Sequence, residues 1–237
     1  MKSGRGKSCG KLWKAPRRNR LISVAHSKQA ALGFRVHSGW AALVAVRLEK
    51  SAPVVLVRQR AHLVETFTYE FRQPFHTAGK MPISQARDFI ERVRDKAQRL
   101  AHRAIHELQS DLQKQGMALK SCGLLLASGK ALPNLEKIIA SHALIHAADG
   151  ELFREALLHA SRRCGLQARA IKERELLEQA VQAFHLKPAE LMRRVTELGR
   201  ALGAPWSKDE KLATLAAWLA LRASLKGGGR TLSGGAA

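Results

Sequence analysis

The sequence predicts a mixed α/β domain, in which three strands form a meander and two later strands alternate with helices. First, the stretches GFRVHSGWAALVAVRL and PVVLVRQRAHLV are rich in β-branched residues, and Ser38-Gly39 supplies a turn. Second, apolar residues recur with helical spacing from Ser84 to about Gln115. Third, SCGLLLAS and LQARAIKE are short apolar runs that each follow a helical segment, which favours parallel pairing.

The remaining elements complete the order βββαβαβα. A second long helix is predicted from about Asn134 to Cys164, and Gly165 stands at the C′ position where helices commonly end. Beyond LQARAIKE the chain is helical, with breaks near Pro188 and Gly203-Pro205. We expect a basic flexible leader at 1–32, the α/β domain at 33–185, a helical C-terminal extension at 186–225 and a disordered glycine-rich tail at 226–237.

The charge of the chain indicates a polyanionic partner. The 237 residues include 41 Lys and Arg against 19 Asp and Glu, for a net charge of +22. Residues 1–32 contain nine basic residues and no acidic one, which leaves +13 for the rest of the chain. A folded body this basic attracts nucleic acid through counterion release, although a basic protein without such a partner is the simpler alternative.

Cysteine usage and hydropathy indicate the compartment. Cys9, Cys122 and Cys164 are odd in number and far apart, so they form neither a disulfide framework nor a zinc ribbon. No apolar run approaches the roughly 18 residues that span a bilayer. We therefore expect a cytoplasmic protein with no membrane partner.

This order of elements resembles the RNase H-like superfamily, which includes the RuvC-like resolvases. In those resolvases an Asp-Pro-Gly turn opens the meander, and the final helix begins on Asp-x-x-Asp-Ala. The corresponding segments here are His37-Ser38-Gly39 and Asp209-Glu210-Lys211-Leu212-Ala213, in which Asp209 alone matches a carboxylate. Two-metal nucleases of this fold need several converging carboxylates. Because Ser207 and Glu210 also fit a capping box, we expect no hydrolytic site here.

A second resemblance is to the middle domain of archaeal and eukaryotic peptide release factors. There a meander leads through an exposed Gly-Gly-Gln loop into a long basic helix and a strand. The stretches SQARDFIERVRDKAQRL and CGLLLASGKALPNLEKIIAS are similar to those last two elements, but HTAGKMPI stands where the loop tripeptide would be. The resemblance therefore implies the fold and does not carry peptidyl-ester hydrolysis to this chain.

Two segments are candidates for nucleic-acid binding. On the first long helix, basic residues at i, i+4, i+7 and i+11 form a stripe: Arg92, Lys96, Arg99 and Arg103. An ordinary solvated face is the alternative, since Asp88 and Asp95 are spaced to pair with Arg92 and Arg99. The segment from Thr66 to Ile83 interleaves aromatic and basic residues suited to stacking on single strands, with Arg72, Phe75, His76 and Lys80 as candidate contacts. Alternatively, Phe67, Tyr69 and Phe71 alternate as a strand edge and pack inward.

The stretch IASHALIHAADGELFREAL combines titratable residues with an apolar stripe. His142, His146 and Asp149 fall at i, i+4 and i+7, within the stripe formed by Leu135, Ile139, Phe153 and Leu157. A histidine pair of this spacing can share a metal ion, with Asp149 as a third ligand and His37 or His76 as a remote fourth. A hydrogen-bonded structural cluster or a partner contact is the favoured interpretation.

We conclude from the sequence that the chain is an RNase H-like protein that binds nucleic acid, RNA or a ribonucleoprotein in particular, without hydrolytic activity and without a cofactor. One alternative is a metal-dependent, resolvase-like nuclease with His142, His146 and Asp149 as catalytic or metal-binding residues. Another is a protein-binding adaptor that uses the C-terminal helices around Trp206 and Trp218.

Overall fold

A computed structural model describes residues 28–127 and 131–227. The strands are β1 (Lys28–His37), β2 (Trp40–Glu49), β3 (Ala52–His62), β4 (Met117–Leu126) and β5 (Gln167–Lys172). The helices are α1 (Tyr69–Arg72), α2 (Pro74–Ala78), α3 (Ile83–Lys114), α4 (Leu135–Ile139), α5 (His142–Arg163), α6 (Leu176–Phe184), α7 (Pro188–Leu198) and α8 (Lys208–Gly227). Glu173–Glu175 forms a 3₁₀ turn after β5.

The five strands form one mixed sheet in the order β3-β2-β1-β4-β5. β1, β2 and β3 pair antiparallel as a meander, and the turn between the first two contains Gly39, whose φ of +83° favours glycine. β4 pairs parallel with β1, and β5 pairs parallel with β4. The predicted mixed sheet with element order βββαβαβα is confirmed.

Helices cover both faces of the sheet. Leu32 and Phe34 of β1 point to one side, where α3 and α5 bury Ile105 and Leu157 against them. α6, α7 and α8 enclose a second apolar cluster with Leu125 and Ile171 on the other side.

Within the predicted C-terminal extension, α8 lies directly on the sheet. A side chain at Gly33 of β1 would overlap the backbone of Ala213, and one at Gly123 of β4 would overlap that of Ala216. These two glycines let the α8 backbone approach the strands closely, so α8 completes the α/β domain as its second covering layer.

Several predicted boundaries change. β1 begins at Lys28, inside the predicted leader 1–32, because Ala30, Ala31 and Leu32 are buried in the sheet. The rest of the leader, Ser128 and most of the tail lie outside the described residues. The second long helix is two helices, separated at Ala140 and Ser141, and the second of them ends as predicted at Gly165, whose φ is +72°.

Among the residues that the structure describes, no helix has the length and apolar character needed to cross a membrane.

Candidate functional site

Four side chains from three parts of the chain meet at one edge of the sheet. Because β1 and β5 run in the same direction, their carboxyl ends share this edge, and α8 begins beside it. Arg35 follows Gly33 at strand spacing and therefore points toward α8. Its Nε and Nη2 donate to the two carboxylate oxygens of Glu173, each at 3.1 Å, and its Nη1 donates to Asp209. We call Arg35, His37, Glu173 and Asp209 the strand-edge cluster.

The strand-edge cluster is held by charge and is only partly open to solvent. The side chains of Arg35 and Asp209 are 18% and 20% exposed. Burial lowers the pKa of the Arg35 guanidinium, but hydrogen bonds and charges from Glu173 and Asp209 outweigh that effect and raise it overall. His37 Nε2 lies 3.1 Å from Asp209 Oδ2, and its ring stacks on Trp40 at 4.4 Å.

Sequence reasoning identified part of the strand-edge cluster. It placed His37 at a strand end and matched Asp209 to a carboxylate position, but it overlooked Glu173 and Arg35. The predicted capping box is present: Glu210 accepts hydrogen bonds from the backbone and the hydroxyl of Ser207. Glu210 therefore performs the capping, whereas the carboxylate of Asp209 pairs with Arg35.

A second group of titratable residues lies where α2 meets the start of α5. The structure brings His142, His146 and Asp149 together with His76, and we call these four residues the histidine cluster. Asp149 is 3% exposed and accepts hydrogen bonds from Phe75 N at 2.7 Å and from His76 Nδ1 at 2.5 Å. Burial raises the pKa of the Asp149 carboxyl, and the bonds from His76 and Phe75 oppose that rise.

The three imidazoles of the histidine cluster face one another edge to face. The ring of His146 lies 4.4 Å from that of His76 and 4.5 Å from that of His142, and the His76 and His142 centroids are 5.5 Å apart. One ring nitrogen from each histidine lies within 4.8 Å of the others. His142 and His146 share one face of α5 with the buried residues Phe153 and Leu157, but they are exposed because they lie in its first turns. Leu135 and Ile139 of the predicted stripe belong to α4.

The predicted basic stripe on α3 is solvent-exposed along its length. Arg92, Lys96, Arg99 and Arg103 all lie on the outer face, opposite buried residues such as Ala97 and Ile105. Lys96 pairs with Glu65. Within the described residues, no ion pair joins Asp88 to Arg92 or Asp95 to Arg99.

The segment between β3 and α3 differs from both of its predicted forms. It contains α1 and α2, so it is neither a structureless loop nor a strand edge. Phe75 is 5% exposed and belongs to the core, which removes it from the candidate nucleic-acid contacts. His76 is also removed, because its side chain is 12% exposed and holds Asp149. Lys80 is exposed, whereas Arg72 packs its guanidinium over Phe67 at 4.5 Å from the ring centroid.

The two tryptophans proposed as part of an adaptor surface pack within the protein. Trp218 is 4% exposed and stacks on Phe184 at 3.8 Å. Trp206 is half-buried, and its Nε1 donates to the Val195 carbonyl at 2.9 Å. Neither ring presents the exposed apolar surface that such a role needs.

Two solved structures of RuvC from Thermus thermophilus are similar in fold. The complex with a Holliday junction substrate is 11% identical, covers 84% of this chain and 96% of its own, and has a TM-score of 0.47. The second structure is 12% identical, has the same coverage and has a TM-score of 0.45. No protein-family model matches the sequence, and no curated protein matches it.

Proposed function

We propose that the protein binds nucleic acid, RNA in particular, along the exposed face of α3, and that its strand-edge cluster has no hydrolytic role. The observation that carries this proposal is the row of exposed basic side chains on α3, of which Arg92, Arg99 and Arg103 have no ion-pair partner among the described residues. A guanidinium without an ion-pair partner exchanges water for phosphate without first losing a salt bridge.

The positive charge continues from α3 onto the end of α5. Burial lowers the pKa of His102, and the nearby charge of Arg163 lowers it further. Arg163 and His159 are exposed and lie on α5, which packs against α3. The basic surface is therefore wider than one helical stripe, as expected for a groove that follows a phosphate backbone.

Exposed aromatic rings stand near the other end of the stripe. Glu70 and Phe71 of α1 border the surface formed by Arg92 and Lys96. On the same segment, Phe67 is 49% exposed and Tyr69 is 54% exposed. Rings beside a phosphate-binding row suit unstacked bases, which favours single-stranded nucleic acid, and RNA presents such bases in loops and ends.

The strand-edge cluster supports binding without cleavage. Arg35 stands between Glu173 and Asp209 and pairs with both carboxylates, and Lys208 lies 3.8 Å from Glu173. Two-metal hydrolysis needs such carboxylates to hold divalent cations, and a guanidinium between them competes for the same charge. The retained role of the cluster is to fix α8 and the end of β5 against β1.

The test compares two triple variants by fluorescence anisotropy on a labelled single-stranded RNA. The first variant changes Arg92, Arg99 and Arg103 to Gln. The control changes Arg174, Arg193 and Arg194 to Gln, which removes the same charge from exposed arginines that already pair with Glu175, Glu190 or Glu197. We expect the first variant to lose about tenfold or more in affinity, with a log–log salt slope shallower by roughly two to three, and the control to change by less than about threefold.

Equal losses in the two triple variants would mean that net charge alone drives binding, and the α3 interface would be wrong. Comparison of RNA with single-stranded DNA of the same sequence tests the preference for RNA. If the protein binds RNA and DNA with equal affinity, the proposal of nucleic-acid binding stands and the proposed preference for RNA is wrong.

A further inference from the structure

We propose that His76, His142 and His146 bind one divalent transition-metal ion of the zinc class, with Asp149 as the residue that positions the His76 imidazole. This site is separate from the α3 surface and does not rest on nucleic-acid binding. It uses residues from two elements that the fold brings together, α2 and the first two turns of α5.

The ring nitrogens of His76, His142 and His146 are close enough together to share one ion. A tetrahedral ion bound at about 2.0–2.1 Å from each nitrogen holds its ligands roughly 3.3 Å apart. The three nitrogens here lie within 4.8 Å of one another, so they need to approach by at most about 1.5 Å. His142 and His146 are exposed, and rotation of their side chains supplies this movement without repacking the core.

A hydrogen bond to Asp149 holds the imidazole of His76 in place. Asp149 Oδ2 accepts from His76 Nδ1, which places the ring proton on Nδ1 and leaves the Nε2 lone pair free. Metal-binding histidines commonly donate their other ring N–H to a carboxylate, which fixes the ring and increases its basicity. The second Asp149 oxygen accepts from Phe75 N, so the carboxylate itself is held in place.

A structural role accounts for only two of the four residues of the histidine cluster, His76 and Asp149. The pair His76–Asp149 is sufficient to join α2 to α5 by a buried hydrogen bond. His142 and His146 add nothing to that bond, and within the described residues neither ring has a hydrogen-bond partner. Their edge-on arrangement around His76 is explained by a shared ligand.

The ligand chemistry selects the class of ion. Three neutral imidazoles suit zinc, cobalt, nickel or copper, whereas magnesium and calcium prefer oxygen ligands. Three protein ligands also leave one tetrahedral position for water or an anionic oxygen, because Asp149 is engaged behind His76. The site therefore has the ligand number of an open metal site.

The experiment uses the full-length chain without a polyhistidine tag, stripped of metal by chelator and titrated with Zn²⁺ against a chromophoric chelator. We expect one Zn²⁺ per chain, and with Co²⁺ a visible absorption band typical of tetrahedral coordination. The variant His142→Ala/His146→Ala should lose at least about 100-fold in affinity, because one imidazole remains. Its two substitutions are at exposed positions, so the fold should be retained.

The matched control is His102→Ala/His106→Ala. This pair has the same i, i+4 spacing on a long helix, but its rings stack at 5.8 Å with an interplanar angle of 21° and do not converge with a third ligand. We expect the control to bind Zn²⁺ within about twofold of the unchanged protein, and Zn²⁺ to raise the Tm of both. A third variant, Asp149→Asn, should fold by circular dichroism and lose about 10–100-fold in affinity.

Three results would overturn the proposal. One is the absence of stoichiometric binding at about 0.1 mM Zn²⁺. Another is equal affinity in the unchanged protein and the His142→Ala/His146→Ala variant. The third is an equal loss in that variant and in the His102→Ala/His106→Ala control, since the ion would then be bound by dispersed surface histidines.

Discussion

Arg35 binds Glu173 through two parallel hydrogen bonds of 3.1 Å, although 138 positions separate the two residues in the sequence. The guanidinium also donates to Asp209, so one strand residue joins β1 to the end of β5 and to the start of α8. A bidentate arginine of this kind fixes geometry as well as charge. Arg35 therefore offsets part of the negative charge that Glu173 and Asp209 place at this edge of the sheet.

Replacement of Arg35 by Ala should destabilise the fold. The change leaves two carboxylates facing each other at a partly buried edge, and we expect the free energy of unfolding to fall by about 1–3 kcal/mol. Arg47→Ala is the matched control on β2, because its partner Glu49 is 58% exposed. Urea denaturation of both variants measures the difference. Equal small losses would mean that the strand-edge cluster contributes little.

Divalent-metal-dependent cleavage should be absent. With Arg35 between Glu173 and Asp209, we expect Mg²⁺ or Mn²⁺ to support no hydrolysis of DNA duplexes, four-way junctions or RNA–DNA hybrids. Gel assays over a range of metal concentrations test this expectation. A cleavage activity abolished by Asp209→Asn and retained in the exposed control Glu49→Gln would restore a nuclease function at this edge.

The close approach of α8 to the sheet predicts a large effect of a small change. In Gly33→Ala the added Cβ meets the backbone carbonyl of Ala213, which no side-chain rotation can relieve. We expect the free energy of unfolding to fall by about 3 kcal/mol or more, which is the upper end of the cost of overpacking a core. Gly79→Ala is the control, since its nearest neighbour would lie at an ordinary 3.4 Å, and it should change stability by less than about 1 kcal/mol. Thermal denaturation of the two variants distinguishes these costs.

The sequence predicted some members of the strand-edge and histidine clusters and not others. Helical spacing placed His142, His146 and Asp149 near one another, and the strand pattern placed His37 at an edge. Which partner completes each group depends on contacts between distant segments. Glu173 lies 138 positions from Arg35, and His76 lies 73 positions from Asp149. Local spacing carries no information about such distant pairs.

The break between α4 and α5 was not predicted from the sequence either. Neither Ala140 nor Ser141 is a glycine or proline, so no helix-ending residue marks the break, and Ser141 alone is of a type that commonly begins a helix. As a result the predicted stripe joined His142 and His146 to Leu135 and Ile139, which belong to a separate helix. By contrast, Gly165 and the α3 stripe were predictable, because a single glycine and a strict helical spacing decide them.

The thiol of Cys122 should be unreactive in the folded protein. Burial in the sheet raises its pKa to about 11 from the ordinary 9.0, whereas Cys164 is only half-buried. In a Cys9→Ser background, alkylation at pH 8 followed by peptide mapping should modify Cys164 at least about 100-fold faster than Cys122. Above pH 9.0 the unfolded thiol ionises before the folded one, so stability should decline as the pH rises from there. Similar alkylation rates would show that β4 opens readily.

Deletion of residues 1–27 should weaken nucleic-acid binding without abolishing it. The removed segment has eight basic residues and no acidic one. We therefore expect it to contact phosphate groups without regard to base sequence. The deletion ends immediately before Lys28, where β1 begins, and therefore leaves the sheet intact. Because the α3 face remains, the truncated protein should still bind single-stranded RNA at low salt, with a shallower dependence of affinity on salt. If the truncated protein binds nothing while its circular dichroism matches that of the full chain, the leader was the entire source of affinity and the α3 interface is wrong.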